Sequence, residues 1–380
     1  MTTSTAHYDA IVVGAGIVGA AIAERLTRAG LRLVLIERDV VGGGATAASM
    51  GHLVVLDDDP AELALSAWSC ARWRELAASL PSGADYRACG TLWLARNADE
   101  MDEARRKQQR LITADIPAEV LDTNALYALE PALGSGLSGA LLVPGDALVY
   151  PPLAALHLVQ QAKAQRADWL SGIGVRALTD DGVVLGDGRE LRADAVIVAA
   201  GNAVPVLLPQ IPLRQRKGHL LITARAAPRI HHALIELGYI TSAHGDAAES
   251  VAFNAQPRPT GQILLGSSRQ FDATHGEVEP RLISALRARA LSFLPWFDDI
   301  TALRCWTGFR PTSPDHRPLI GRWPGTRHWV AAGHEGLGVT TALGTAELLA
   351  AQLLGTRVPF DAAPFDPARY AALAETAHAA

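Results

Sequence analysis

A glycine motif near the start of the chain lies between a strand-like run and a helix-like run, and its sequence is Gly14-Ala15-Gly16-Ile17-Val18-Gly19. The apolar run Tyr8–Val13 before it predicts a buried parallel strand, and the apolar spacing over Ile17–Ala29 predicts a helix. A second apolar strand, Leu31–Ile36, follows and is closed by Glu37. The first residues are therefore predicted to form a βαβ unit, which restricts the chain to an α/β fold.

The three glycines of this motif have the spacing that dinucleotide-binding units require. Gly14 allows the tight turn out of the strand, Gly16 lets the backbone approach a pyrophosphate, and Gly19 permits close packing of helix on strand. The helix that begins there directs its free N–H groups at the phosphates. Glu37 is placed to accept hydrogen bonds from ribose hydroxyls, which argues against a 2′-phosphate. FAD and NAD both remain compatible with this unit.

Charge and composition exclude several other classes of protein. The chain has 380 residues, a formal net charge of -5 and no basic stripe, so nucleic acid is not an expected partner. No apolar stretch approaches the roughly 20 residues of a membrane span. Cys70, Cys89 and Cys305 are too scattered for a disulfide framework or a metal site. Met1–His7 lacks the features of a signal peptide, and a cytoplasmic protein without a metal is expected.

Further elements are predicted along the rest of the chain. Asp57–Asp59 and Pro60 favour the start of a helix that runs to about Leu80. Its expected buried side consists of Leu63, Ala67, Trp68, Ala71 and Leu76. Residues 98–110 are dense in charge and indicate an exposed helix. The other predicted helices are Pro151–Arg166, Pro280–Leu294 and Val339–Leu354, and the other predicted strands are Val175–Leu178, Val183–Leu185, Ala195–Ala199, His219–Thr223, Ile263–Gly266 and Trp329–Ala332.

Three more segments are rich in small residues, and together they extend the dinucleotide hypothesis. The first is Gly42-Gly43-Gly44-Ala45-Thr46-Ala47-Ala48-Ser49-Met50-Gly51-His52, the second is Asp194–Gly201, and the third is Ala332-Gly333-His334-Glu335-Gly336-Leu337-Gly338-Val339-Thr340. With these segments the chain resembles the D-amino acid oxidase-like family of FAD-dependent amine oxidoreductases, which includes glycine oxidase, sarcosine oxidase, D-amino acid dehydrogenase and D-hydroxyproline dehydrogenase.

The resemblance implies how FAD is bound. In the family the first segment passes the pyrophosphate and reaches the flavin ring, the second turns over the adenine side, and the helix after the third points its N-terminus at the flavin N1–C2=O edge, which favours the reduced flavin. The FAD-binding residues expected from the motif and the resemblance are Gly14, Gly16, Ile17, Val18, Gly19, Glu37, Arg38, Gly44, Ala45, Thr46, Ala48, Met50, Gly51, His52, Val175, Ala200, Gly201, Gly308, Gly333, His334, Gly336, Leu337, Gly338 and Thr340.

The resemblance also implies a domain division and the mode of attachment of the cofactor. It predicts an FAD-binding Rossmann-like domain built from the separated segments 1–80, 146–214 and 306–380. An α+β substrate domain with a mostly antiparallel sheet, residues 81–145 and 215–305, is inserted into it. Some sarcosine oxidases attach flavin through a cysteine at the position of Gly308, and Cys305 is displaced from that position. Noncovalent FAD is therefore expected.

The catalytic expectation rests on the segment Gly308-Phe309-Arg310-Pro311-Thr312-Ser313-Pro314-Asp315, which is similar to the family stretch that binds the substrate carboxylate. Arg310 matches the carboxylate-binding position, where a guanidinium fork would fix the substrate Cα above flavin N5. His52 matches a position close to the flavin face and could contact the substrate or the ring. His334 is expected to contribute a backbone contact. Hydride transfer from a neutral amine needs neither a metal nor a Ser/His/Asp triad.

The resemblance is weaker for the substrate. Tyr239, Phe253 and Asn254 lie near where glycine oxidase-like members place tyrosines on the substrate side. Phe253-Asn254 stand where a tyrosine would be expected, which argues against glycine as the substrate. The segments 253–258 and 265–271 look most like D-hydroxyproline dehydrogenases and the related opine oxidase and hydrogen cyanide synthase subunits. The preferred function is a cis-4-hydroxy-D-proline dehydrogenase. The alternatives are glycine or sarcosine oxidase-like activity, D-amino acid dehydrogenase activity, and an FAD-bearing subunit of a heteromeric complex. The electron acceptor (oxygen, a quinone or a protein) and homo-oligomer formation stay open.

Overall fold

The computed structural model describes residues 7–55, 59–238, 249–271, 273 and 275–371. The helices are α1 (Ile17–Arg28), α2 (Gly44–Ala47), α3 (Pro60–Ala77), α4 (Ala98–Thr113), α5 (Thr123–Leu129), α6 (Pro151–Ala164), α7 (Val204–Leu207), α8 (Pro280–Leu291) and α9 (Ala342–Leu354). The strands are β1 (His7–Val13), β2 (Leu33–Glu37), β3 (His52–Leu53), β4 (Thr91–Ala95), β5 (Glu119–Asp122), β6 (Gly139–Val143), β7 (Ala147–Leu148), β8 (Asp168–Ser171), β9 (Val175–Thr179), β10 (Gly182–Leu185), β11 (Glu190–Val198), β12 (Arg214–Thr223), β13 (Ala233–Glu236), β14 (Glu249–Pro257), β15 (Ile263–Phe271), β16 (Ala302–Thr312), β17 (Leu319–Arg322) and β18 (His328–Ala332).

The first large sheet has the strand order β17-β18-β11-β1-β2-β8, and the β9–β10 hairpin joins it along β11. Strands β18, β11, β1, β2 and β8 run parallel to one another, whereas β17 pairs with β18 and β10 pairs with β11 in the antiparallel sense. Val12 of β1 lies opposite Ile197 on one side and Leu35 on the other. Val12 is fully buried, because α1, α3, α6 and α9 cover one face of the sheet and a second apolar cluster covers the other. The predicted βαβ unit is present, and Asp194–Gly201 contributes the central strand β11.

The second large sheet has the order β16-β12-β15-β14-β13-β4-β6-β5. All of its strand pairs are antiparallel except β4 with β13, which are parallel. Helices α4, α5 and α8 pack on it. Strand β16 pairs with β12 as far as Thr312, so the predicted domain boundary between residues 305 and 306 falls inside this strand. The linear division into two domains stays a prediction.

Helix α3 begins where expected but buries a different face. The side chain of Asp59 caps it by accepting from the N–H groups of Ala61 and Glu62, while Asp57 and Asp58 lie outside the described residues. The residues predicted to be buried are only half-buried, and the inner face consists of Leu65, Ser66, Ser69, Cys70 and Trp73. The prediction of the buried face was wrong because the inner face is partly polar. Its Ser69 is buried since Oγ donates to the carbonyl of Thr340 at 2.5 Å.

The charge-dense segment forms α4, and one of its charges lies inside the protein. Lys107 is 1% exposed, and its ammonium lies 5.4 Å from the centre of the Trp93 ring. The expectation of a solvated helix is therefore correct only for the outer face. The other predicted helices and strands are present with shifted ends. Within the described ranges, no helix combines the length and the hydropathy that crossing a bilayer requires.

Candidate active site

A cavity of about 520 Å³ extends from the carboxyl ends of β1, β11 and β18 to the surface of β12 and β16. Ligands of open α/β sheets bind at this edge, because the loops that leave the parallel strands converge there. All of the site residues predicted above line the cavity except Gly19, Gly333 and Thr340. The structure thus brings the distant glycine segments and Arg310 to one place.

The glycine motif forms one end of the cavity. Gly14 has φ +101°, and a Cβ on Gly19 would lie 1.9 Å from the carbonyl oxygen of Gly14. Glu37 accepts the N–H of Ala15 at 2.7 Å through one carboxylate oxygen and the N–H of Asp39 at 2.9 Å through the other. The end of β2 is thereby fastened to the turn that follows β1, and these residues fit the diphosphate and ribose of a dinucleotide.

The small-residue segment 42–52 lies along the cavity and packs closely against the second large sheet. It includes the short helix α2. A Cβ on Gly308 would lie 2.5 Å from Cβ of Ala48, and a Cβ on Gly266 would lie 2.7 Å from Sδ of Met50. Arg258 donates to the carbonyl of Met50 at 2.6 Å. Glycines of the second sheet therefore let this segment lie flat against β15 and β16.

The three predicted residues outside the lining support it from behind. Gly19 lies against Gly14, as described above. Gly333 has φ +80°, which a residue with a side chain rarely adopts. The hydroxyl of Thr340 donates to the carbonyl of His52 at 2.9 Å and accepts from the N–H of Val54 at 3.3 Å. Thr340 therefore positions β3 beside the cavity, whereas a direct cofactor contact was expected of it.

Two of the three histidines that line the cavity, His52 and His334, are neutral. Nε2 of His52 lies 2.8 Å from the hydroxyl of Thr91, and burial together with the charge of Arg258 lowers the pKa of His52 to about 3. Nε2 of His334 lies 3.0 Å from the hydroxyl of Thr345, and burial lowers the pKa of His334 to about 4. Neither ring is an imidazolium near neutral pH, so neither serves as a general acid there. Each neutral ring can still donate one hydrogen bond and accept another.

Arg310 projects from β16 at the far end of the cavity. It lies opposite Arg216 in the β12–β16 ladder, and Gly308 lies opposite Gly218. The guanidinium crosses to the backbone of Gly218, where a Cβ would lie 2.8 Å from both terminal nitrogens. Its Nη1 also approaches the carbonyl of Ser268 at 3.4 Å. A guanidinium held flat in this way offers two N–H groups to a planar carboxylate.

An ion network that the sequence patterns did not predict lies at the same end. Arg216, only 1% exposed, donates to Glu335 at 2.5 Å, and the other carboxylate oxygen of Glu335 lies 3.0 Å from Nδ1 of His316. Burial alone would raise the pKa of Glu335, but the hydrogen bond from His316 and the charges of Arg269 and Arg216 lower it to about 2. The hydrogen bond to Glu335 raises the pKa of His316. No sequence spacing could have signalled this network, because its members come from three separate segments.

Apolar side chains form the wall between His52 and Arg310. Trp93, Leu220 and Ile235 line the cavity there, together with the side chains of Asn254 and Ser267. Of the residues expected near the substrate, Asn254 faces the cavity. Phe253 points away and stacks on Phe293 with ring centres 4.3 Å apart. Tyr239 lies outside the described residues. The described part of the chain contains no cluster of three His, Cys, Asp or Glu side chains that could hold a metal ion.

Comparisons with known proteins agree with this geometry. Residues 9–352 match the family model described as "DAO: FAD dependent oxidoreductase". A glycine oxidase of Pseudomonas aeruginosa is 30% identical, over 94% of this chain and 98% of that protein. An opine oxidase subunit from Rhizobium meliloti is 26% identical, over 96% of this chain and 98% of that protein. The crystal structure of glycine oxidase from Geobacillus kaustophilus superposes with a TM-score of 0.84 at 25% identity, covering 95% of this chain and 98% of that one.

Proposed function

Because this chain belongs to the DAO family of FAD-dependent oxidoreductases, we propose that it oxidises the Cα–N bond of a D- or cyclic amino acid. FAD, when bound, supplies the acceptor for the hydride that leaves Cα. The turn at Gly14 and the carboxylate of Glu37 would hold its adenosine diphosphate half, and the flat segment 42–52 would lie against the flavin. The preferred substrate is cis-4-hydroxy-D-proline.

The observation that carries this proposal is the placement of Arg310. Its guanidinium is part of the cavity lining and lies against Gly218, where a Cβ would be 2.8 Å from both terminal nitrogens. A bidentate pair with the substrate carboxylate would leave one position for Cα, between Arg310 and the segment 42–52. The apolar wall excludes water from that position and strengthens the ion pair.

The wall also supports a cyclic substrate. Trp93, Leu220 and Ile235 present apolar surface on which the methylene groups of a five-membered ring would pack. The amide of Asn254 stands among them and could exchange a hydrogen bond with a ring hydroxyl. Glycine would leave this surface uncovered, so the geometry favours a larger substrate.

Two alternatives have a specific observation in their favour. The glycine oxidase of Pseudomonas aeruginosa, at 30% identity, favours a small amino acid or an N-substituted glycine. The opine oxidase subunit of Rhizobium meliloti, which this chain matches over nearly its whole length, favours a chain that works with partner proteins. In the second case the isolated chain would bind FAD but turn over slowly.

Anaerobic mixing of the purified holoenzyme with a panel of amino acids tests these proposals. The panel contains cis-4-hydroxy-D-proline, D-proline, L-proline, D-alanine, glycine and sarcosine, and bleaching of the flavin absorbance is the readout. We expect the fastest bleaching with cis-4-hydroxy-D-proline. No bleaching with either D-proline compound would overturn the substrate assignment, and preferential bleaching with glycine or sarcosine would establish the first alternative. An artificial acceptor dye then separates slow chemistry from a missing partner.

A further inference from the structure

The backbone N–H of Gly51 lies in the cavity lining and has no acceptor among the residues that the structure describes. Gly51 itself is buried. Buried backbone donors are almost always paired, with the protein, with water or with a ligand. A buried donor left open at a ligand cavity therefore indicates that the ligand supplies the acceptor.

The conformation of Gly51 takes this N–H out of the β3–β7 ladder. The N–H of Val149 donates to the carbonyl of Gly51 at 2.9 Å, which is one of the two bonds that a residue pair exchanges across antiparallel strands. At φ +73° the peptide before Gly51 is turned out of the ladder, and among the described backbone bonds the second one is not made. A Cβ on Gly51 would lie 1.9 Å from the carbonyl oxygen of Val149, so glycine is required here.

Arg258 bonds to the two carbonyl groups at this end of the ladder. Its Nη2 donates to the carbonyl of Met50 at 2.6 Å, and its Nη1 approaches the carbonyl of Val149 at 3.5 Å. The backbone of Arg258 is itself fixed in the turn between β14 and β15, where its N–H donates to Gln262 at 2.8 Å and its carbonyl accepts from Gly261 at 2.9 Å. A guanidinium on a hydrogen-bonded turn of the second sheet thus holds the segment 42–52.

The Met50 carbonyl and the Gly51 N–H belong to one peptide group. That peptide is trans, so its C=O and its N–H point in opposite directions. Met50 and Gly51 line the cavity, whereas Arg258 and Val149 do not. Because Arg258 holds the carbonyl on the side away from the cavity, the N–H of Gly51 is directed toward it.

We propose that Arg258 is a positioning residue, which holds the Met50 carbonyl so that the N–H of Gly51 points at the C4=O group of the bound flavin. The inference goes beyond the proposed function, because it rests on FAD binding and not on the identity of the substrate. The C4 oxygen accepts hydrogen bonds in both redox states, whereas N5 carries an N–H once it has taken up a hydride. Electron density at C4=O rises on reduction, so a fixed donor there favours the reduced flavin.

The sequence allows this single N–H to be observed in the whole protein. The chain has three methionines, and only Met50 precedes a glycine. Labelling methionine with ¹³C at the carbonyl carbon and glycine with ¹⁵N therefore selects one amide signal, that of Gly51, in a carbonyl-correlated NMR spectrum. Its rate of exchange with D2O reports whether the N–H is hydrogen-bonded.

In the wild-type holoenzyme we expect the Gly51 amide to exchange slowly. Arg258→Met keeps the length of the side chain and removes its donors, so exchange should become about 10-fold faster. Arg258→Lys can still donate to the Met50 carbonyl and should restore most of the protection. Rapid exchange in the wild-type holoenzyme would overturn the inference without any variant, and equal rates in wild type and Arg258→Met would overturn it as well.

Arg87→Met is the matched control. Arg87 also donates to a backbone carbonyl, that of His231 at 3.1 Å, and its loss removes the same charge from the same part of the chain. It bonds to neither Met50 nor Val149. The exchange rate of Gly51 should be that of the wild type in this variant. A rate raised as much as in Arg258→Met would show that the effect is general loosening and would overturn the positioning role.

The midpoint potential of the bound flavin is the second readout, and it needs no amino acid. In Arg258→Met we expect the equilibrium to shift about 10-fold toward the oxidised flavin, which is about 30 mV for a two-electron couple. Arg258→Lys should recover most of this shift. A residue that only supported the fold would change FAD content without changing the potential. A wild-type potential in Arg258→Met would contradict the inference.

These readouts separate the inference from the proposed function. If no amine reduces the wild-type flavin while the Gly51 exchange rate and the potential respond to Arg258→Met, the proposed function fails and the positioning role stands. If amines reduce the flavin and neither readout responds, the positioning role fails alone.

Discussion

The guanidinium of Arg310 lies so close to Gly218 that a Cβ on the glycine would stand 2.8 Å from both terminal nitrogens. The two residues lie on neighbouring strands, β16 and β12, and the β12 position two residues before Gly218 is Arg216 of the buried network. The absence of a side chain at Gly218 therefore determines where the guanidinium that we propose to bind the substrate carboxylate can lie.

Gly218→Ala should displace the guanidinium without removing it. We expect KM for an amino acid substrate to rise by about 10-fold or more, because a lost bidentate hydrogen bond to a charged group costs about 1.5 to 3 kcal/mol. The FAD content should be unchanged. Steady-state kinetics and the flavin-to-protein absorbance ratio measure both. Gly276→Ala is the matched control, since its Cβ would meet only ordinary van der Waals contacts. Equal KM values for the two variants would contradict the packing argument.

Removing the carboxylate of Glu335 should destabilise the protein more than removing a surface carboxylate. Glu335→Gln leaves Arg216 buried without its counter-ion, which costs about 3 to 5 kcal/mol of unfolding free energy. Asp298→Asn, which removes an ion pair with Arg287 at the surface, should cost about 1 kcal/mol or less. Denaturant titrations of both holoenzymes provide the comparison. Similar midpoints would show that the network contributes little.

The same network predicts the shape of the stability profile with pH. Because the pKa of Glu335 is lowered to about 2 in the folded protein, its contribution is present above the ordinary glutamate pKa and is lost as the pH falls toward about 2. Because the pKa of His316 is raised, its contribution is present below the ordinary histidine pKa and is lost as the pH rises through the folded value.

His316→Asn should therefore flatten the loss of stability on the alkaline side of neutrality. Thermal unfolding of the wild type and the variant across about three pH units measures this, with His7→Asn as the control because His7 lies at the surface. If the two curves remain parallel, His316 does not gain a proton affinity on folding.

Gly19→Ala should abolish FAD binding although Gly19 does not line the cavity. The added Cβ would lie 1.9 Å from the carbonyl of Gly14, so the turn and α1 must separate. We expect the variant to purify without flavin absorbance. Gly186→Ala, whose Cβ would lie 3.5 Å from the nearest atom, should retain the wild-type flavin content. Full flavin content in Gly19→Ala would refute the role of close helix–strand packing.

FAD is proposed to be bound without a covalent bond. Cys305 does not line the cavity, and Gly308 occupies the position next to Ala48. Acid precipitation followed by filtration should leave all yellow colour in the filtrate. Colour retained on the precipitated protein, and lost in Cys305→Ser, would show a thioether instead.

Local sequence patterns predicted the elements of the FAD-binding unit, and nearly all of the site residues expected from the motif and the family resemblance line the cavity. Gly14, Gly16 and Glu37 lie where the spacing indicated, because a tight turn, a helix start and a strand end are encoded by residues close together in the chain. The mostly antiparallel sheet followed from the family resemblance. The buried face of α3 was predicted wrongly, because Ser69 bonds to a residue far away in sequence.

The sequence by itself determined that the chain holds a dinucleotide in a βαβ unit, since glycines and alternating apolar runs specify backbone geometry locally. Only the tertiary structure decided what faces the cofactor cavity. The contact of Arg310 with Gly218, the burial of Arg216 against Glu335, and the hydrogen bond between His52 and Thr91 all join residues from separate segments. Their charges and pKa values depend on burial and on neighbours across strands, and neither exists until the two large sheets have formed around the site.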